Sequence, residues 1–209
     1  MDIATQTDLH FSVAQRPFPG QNVSGDNHLV AKTSSGWLLS VVDGLGHGPE
    51  AAVAGRTFIE VLADHADRSG EELIRLGHKA LKDTRGGVAA VVAIDSTNRR
   101  LNWLGVGNVE GILLHSGSGE RAPEYIPTRG GIIGYRLPEL NPSSLPLADD
   151  DTLILATDGI QAGFSRMIPK DRTPEVIAAY ILENFAKSTD DALVLVARWR
   201  LVADTHMEG

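Results

Sequence analysis

Leu29-Val30-Ala31-Lys32-Thr33-Ser34-Ser35-Gly36-Trp37-Leu38-Leu39-Ser40-Val41-Val42-Asp43-Gly44 is the stretch on which the fold turns. Two β-prone runs, Leu29 to Lys32 and Trp37 to Val42, flank Thr33-Ser34-Ser35-Gly36, whose small polar residues and glycine are turn chemistry. The segment therefore reads as a β-hairpin. Its second arm ends in Asp43-Gly44 and continues through Leu45-Gly46-His47-Gly48 to Pro49. Proline suits the first turn of a helix, where its missing N–H has no intrahelical partner to lose. Beyond it Ala54, Phe58, Val61 and Leu62 recur at helical spacing, so the period changes from strand to helix across one glycine-rich loop.

Working outward, Ser69-Gly70-Glu71-Glu72 is a capping box that opens a second helix, with Leu73, Leu76, Ala80 and Leu81 as its apolar positions. On the N-terminal side Leu9, Phe11 and Val13 alternate with His10, Ser12 and Ala14, a strand period. Arg16-Pro17-Phe18-Pro19-Gly20 breaks that strand. Further strands are expected at Val88 to Asp95, Leu101 to Val106, Gly111 to His115 and Thr152 to Thr157, with a buried one at Leu193 to Trp199. A proline-rich segment from Pro123 to Asp150 reads as irregular. Thr173-Pro174-Glu175 opens a last helix, with Val176, Ile177, Tyr180, Ile181 and Phe185 on its apolar side. Strands, two helices, strands, helix, strand is not the regular alternation of a parallel sheet. It fits an α+β protein of antiparallel sheets with helices packed outside them.

Bulk properties set the bounds. The 209 residues suit one domain spanning 1–209, and 42% apolar with 22% charged residues is an ordinary globular balance. The net charge of −8 offers no basic stripe for nucleic acid. With no cysteine, disulfides, thiolate catalysis and cysteine-type zinc sites are excluded. No apolar run reaches the length of a membrane span, so a cytoplasmic protein without membrane association is expected. No apolar heptad argues for a dimer, and a monomer is the expectation.

Four acidic residues share one setting, a strand end or turn, often beside glycine: Asp26 in Ser24-Gly25-Asp26, Asp43 in Val42-Asp43-Gly44, Asp158 in Thr157-Asp158-Gly159, and Asp190 in Thr189-Asp190-Asp191. Each alone is as well explained as a turn residue. Together they are hard oxygen donors without a histidine or cysteine cluster, the preference of Mg²⁺ or Mn²⁺ over zinc.

The set resembles the metal-dependent serine/threonine protein phosphatase family, in its bacterial sporulation-phosphatase-like branch. The resemblance rests on Ser24-Gly25-Asp26, Val42-Asp43-Gly44-Leu45-Gly46-His47-Gly48, Gly86-Gly87-Val88-Ala89-Ala90, Gly105-Val106-Gly107-Asn108, Gly130-Gly131-Ile132-Ile133-Gly134, Thr157-Asp158-Gly159-Ile160 and Asp190-Asp191-Ala192, in the family's order. It implies a sandwich of two antiparallel β-sheets flanked by helices, with a metal cleft at one end. By position it implies two divalent cations, Mn²⁺ or Mg²⁺. Asp43 would bridge them, the Gly44 carbonyl would bind one, Asp158 and Asp190 the other, and Asp26 would hold metal-bound water. Two such ions, roughly 3.5–4 Å apart, share a hydroxide for in-line attack on phosphoserine or phosphothreonine, so no serine or cysteine nucleophile is needed.

The sequence departs from longer relatives at Asn108, where they carry an aspartate for a third metal, and at Leu193, which leaves Asp190 and Asp191 open as the last ligand. Their phosphate-holding arginine has no clear counterpart; Arg16 is a candidate. His47 is read either as a general acid or as a loop residue held by a backbone hydrogen bond. A dinucleotide-binding reading of Gly44-x-Gly46-x-Gly48 fails on glycine spacing and on the preceding acid. As a bare catalytic domain the chain looks most like the branch that resets the stressosome. That implies phosphorylated STAS-domain proteins of a stressosome-like complex as partners. The alternatives are a phosphoprotein-binding pseudophosphatase, a phosphatase for another regulator, or a structural cation-binding protein.

Overall fold

The hairpin forms as its residues require: Asp26–Lys32 and Gly36–Gly44 pair antiparallel, from Asp26 opposite Asp43 to Lys32 opposite Trp37. The computed structural model describes residues 6–117, 122–169 and 171–202. In chain order the strands are β1 (Gln6–Arg16), β2 (Asp26–Lys32), β3 (Gly36–Gly44), β4 (Gly87–Asp95), β5 (Arg100–Val106), β6 (Glu110–Leu114), β7 (Glu124–Ile126), β8 (Ser143–Pro146), β9 (Thr152–Ala156) and β10 (Ala192–Val202). The helices are α1 (Pro49–Asp64), α2 (Gly70–Ala80) and α3 (Pro174–Phe185). A short 3-10 turn, Phe164–Met167, precedes α3.

The strands make two antiparallel five-stranded sheets, β1-β10-β9-β6-β7 and β2-β3-β4-β5-β8. Their facing sides bury Leu39, Val41, Trp103, Leu153, Leu195 and Trp199 as one core. α1 and α2 cover the outer side of the second sheet through Ala54, Phe58, Leu62, Leu73 and Ile74. α3 covers the first through Ile177, Ile181 and Phe185. The layers are therefore helix, sheet, sheet, helix, the expected α+β sandwich. Central strands β3, β4, β9 and β10 are buried on both faces, which explains their near-continuous apolar runs in an antiparallel protein.

Three details differ from the sequence reading. The segment from Pro123 to Asp150 is not wholly irregular: β7 adds an edge to one sheet and β8 to the other. These edges are too short to show a period, and they exist through their partners. Val176 points outward at 48% exposure, while Ala178 takes the buried position on α3. Phe11 is half-exposed on edge strand β1, outside the core that takes Leu9 and Val13. The capping box of α2 is as read: the Ser69 side chain accepts from the Glu72 N–H, and the Glu72 carboxylate accepts from the Ser69 N–H.

Candidate active site

The expected acids come from both sheets. Asp43 is the penultimate residue of β3. Asp158 lies just past β9 and Asp190 just before β10, strands that neighbour each other in the other sheet. Two glycines make the approach close enough. A Cβ on Gly159 would collide with the Asp191 carbonyl, so glycine alone lets the turn after β9 lie against the start of β10. A Cβ on Gly44 would collide with the Ala51 carbonyl, so glycine lets α1 begin directly beneath the end of β3.

Asp43, Asp158 and Asp190 face a common open cleft of about 560 Å³, with Leu45, Gly46, His47, Asn108, Gly130 and Gly131 among its other walls. The Asp43 carboxylate has no hydrogen-bond donor among the described residues. Burial, and then the charges of Asp158, Asp190 and Asp191, push its pKa up to about 8. Asp190 is raised by burial first and by Asp158 next, while Lys187 pulls it down. Asn108 donates to Asp158 Oδ2 at 2.8 Å, so the residue standing at the third-metal position engages the Asp158 carboxylate directly.

Asp26 and Gly44 sit behind this surface. Asp26 is opposite Asp43 in the strand pair and almost fully buried, and its Oδ2 accepts from Thr157 Oγ1 at 2.8 Å. Thr157 belongs to the other sheet's turn, so this bond ties the two sheets together at the floor of the cleft. Burial and then the Asp43 charge raise the Asp26 carboxyl well above the ordinary range, against the Thr157 hydrogen bond. Gly44 donates its N–H to Gly25 O at 3.2 Å, and its own carbonyl packs against Gly25.

The adjacent pair Asp190-Asp191 divides cleanly. Asp191 is buried at 3% exposure and its two oxygens accept from Phe18 N at 2.6 Å and Gly25 N at 2.8 Å. Its carboxylate is spent on holding two loops. Asp190 faces the cleft, with one oxygen accepting from Asp191 N.

His47 does not make the backbone hydrogen bond considered for it: neither ring nitrogen has a partner among the described residues. Its ring instead stacks on Phe18, with centroids 4.4 Å apart and planes at 15°. Arg16 does not line the cleft; its guanidinium donates to Lys187 O at 2.6 Å. Lys187, Thr157 and Phe18 were not singled out as site residues by sequence. Lys187 donates its ammonium to the Asp158 carbonyl at 2.5 Å and is the cation nearest to Asp190 in effect. A lone lysine after a helix carries no signal that would have found it.

The donor set fits hard divalent cations. Three carboxylates share one open mouth, and Asp43 has no hydrogen-bond donor among the described residues. Among the described residues no three such groups close into a finished cage.

Comparison with known proteins places the chain in a family and supports its fold. Residues 33–200 match the family model described as stage II sporulation protein E (SpoIIE), and the chain belongs to that family. Phosphoserine phosphatase RsbX of Bacillus subtilis (strain 168) is 30% identical over 101 residues, 48% of this chain and 50% of RsbX. The chain thus spans about half the length of that curated relative. A protein solved in work on the bacterial stressosome as a modular system adapted to control secondary messenger signalling superposes with a TM-score of 0.83 at 29% identity, covering 91% of this chain and 100% of the other. The crystal structure of RsbX in complex with magnesium gives 0.81 at 23% identity, covering 93% and 99%, and supports the fold.

Proposed function

We propose that this chain is a metal-dependent phosphoprotein phosphatase acting on phosphoserine and phosphothreonine. The observation that carries the reading is the meeting of Asp43, Asp158 and Asp190 on one open cleft, with no donor to the Asp43 carboxylate among the described residues. Asp43 and the Gly44 carbonyl would hold one divalent cation, and Asp43, Asp158 and Asp190 a second, as Mn²⁺ or Mg²⁺. Asp26, buried against Thr157, would orient water at the same place. When bound, such ions supply charge stabilisation for the transferring phosphoryl group and an activated water. Asn108 occupies one Asp158 oxygen, which favours two ions over three. The cleft is open, as suits a side chain presented on a protein surface.

The RsbX similarity and the stressosome-related structure support a reading in which phosphorylated STAS-domain proteins are the substrates. On this reading the chain acts as a monomer and resets a stress response. Among the described residues no helix is long and apolar enough to cross a membrane. The test is phosphate release from a phosphoserine peptide and from a panel of phosphorylated STAS domains with excess Mn²⁺. Turnover of the STAS set well above unrelated phosphoproteins supports both levels of the reading. Equal rates on all overturn the STAS assignment, and no release from any substrate leaves a phosphoprotein-binding module instead.

A further inference from the structure

Among the described residues His47 is the one imidazole on the cleft wall, and it lies there without a hydrogen bond to hold it. Something else must fix its ring, because an exposed loop histidine otherwise samples several rotamers. The contact present is the stack on Phe18, parallel within 15° at 4.4 Å. A face-on stack restrains the plane of the imidazole while leaving both nitrogens at its free edges.

Phe18 is itself held at both ends of its backbone. Its N–H donates to the buried Asp191 carboxylate at 2.6 Å, its carbonyl accepts from Gln21 N at 2.9 Å, and the Gln21 side chain lies against Gly48, next to His47. Asp191 also takes Gly25 N, so one carboxylate fixes the Phe18 turn and the segment leading into Asp26. An aromatic side chain only partly buried on a proline-flanked loop has no core to fill. Its ring stacks on the cleft histidine.

We propose that Phe18 is a positioning residue which, anchored by Asp191, holds the His47 ring so that a ring N–H meets the departing oxygen of the substrate. This rests on the phosphatase reading above. In the step, a water oxygen bonds to phosphorus as the bond from phosphorus to the serine oxygen breaks. The released electron pair stays on the serine oxygen, which takes the His47 proton and leaves as a neutral hydroxyl. The proton lost by water restores the imidazolium in net balance, and nothing is oxidised or reduced. General acid help matters for an alkoxide and little for a p-nitrophenolate, which leaves unaided. Positioned proton transfer contributes on the order of 10²–10⁴-fold.

The test compares kcat on a phosphoserine peptide and on p-nitrophenyl phosphate, both with excess Mn²⁺, for wild type, Phe18→Ala, Phe18→Trp, His47→Gln and the Phe18→Ala/His47→Gln double variant. Expected for Phe18→Ala is a loss on the peptide about tenfold or more greater than on p-nitrophenyl phosphate. Phe18→Trp, which keeps a stacking face, should regain most peptide turnover. The double variant should fall no further than His47→Gln alone, because both changes remove one function. An equal loss on both substrates, or an additive double variant, overturns the proposal and makes Phe18 merely structural. So does undiminished peptide turnover in Phe18→Ala. If wild type turns over neither substrate, the phosphatase reading itself fails, which is a distinct result.

Discussion

The molecule gathers acidic side chains at two places, and they are treated in opposite ways. Near the end of β6, Asp151 is buried at 1% exposure and fully supplied with donors: Ser116 N at 2.8 Å, Ala148 N at 2.9 Å and the His115 ring at 3.3 Å. His115 also meets Glu124 at 3.2 Å, so the cluster ties β6, β7 and the turn before β9. At the cleft, Asp43 faces Asp158, Asp190 and Asp191 and has no donor among the described residues, and its pKa is driven up to about 8. A carboxylate whose lone pairs are met by the protein is part of the scaffold. One left facing its own kind, at an open surface, is a place for a cation from solution.

Several measurements would break or sharpen that contrast. The largest effect is expected from Asp43→Asn: turnover of a phosphoserine peptide should fall about 10³-fold or more, while the metal-free protein gains stability from relieved repulsion. Asp151→Asn should do the reverse, leaving turnover per folded molecule near wild type while costing about 1–3 kcal/mol in a urea melt. If the two variants behave alike, the contrast is wrong.

The neighbouring pair gives a smaller version of the same comparison. Asp191→Ala strands the N–H groups of Phe18 and Gly25 and should cost about 2–4 kcal/mol of stability. Asp190→Ala leaves stability nearly unchanged and instead weakens Mn²⁺ binding on the order of tenfold to a hundredfold, read by calorimetry. A stable Asp191→Ala would show that the two loops are held by something else.

That pair also marks how far sequence reaches. The hairpin at 29–44 was legible because alternating and buried runs, a turn and a glycine all agree, and the capping box at Ser69 is a local code. Asp43 and Asp158 stood out because each ends an apolar strand beside glycine. Asp190 and Asp191 are chemically identical neighbours, and only burial and donors separate them. β7 and β8 were invisible for a related reason, since a three- or four-residue strand is defined by its partner. The stack of Phe18 on His47 joins two loops far apart in the chain, and nothing local announces it.

The smallest effect is a slope with pH. Asp43 has a folded pKa near 8 against an unfolded value of about 3.9, so the folded metal-free protein binds the extra proton. Stability therefore falls as pH rises through that window, by at most about 1.4 kcal/mol per pH unit for one proton. Asp26, also raised by burial, adds the same sign. Thermal melts of chelator-treated protein should show lower stability at pH 8 than at pH 6. Asp43→Asn or added Mn²⁺ should flatten that slope, and an unchanged slope in Asp43→Asn would assign it to other groups.

The most direct measurement is a calorimetric titration of Mn²⁺ into metal-free wild type, Asp43→Asn and Asp151→Asn. Expected is saturable binding to wild type and Asp151→Asn with equal affinity, and at least about a tenfold loss in Asp43→Asn. Equal binding by Asp43→Asn, or none by wild type, would contradict a cation site built on Asp43, Asp158 and Asp190.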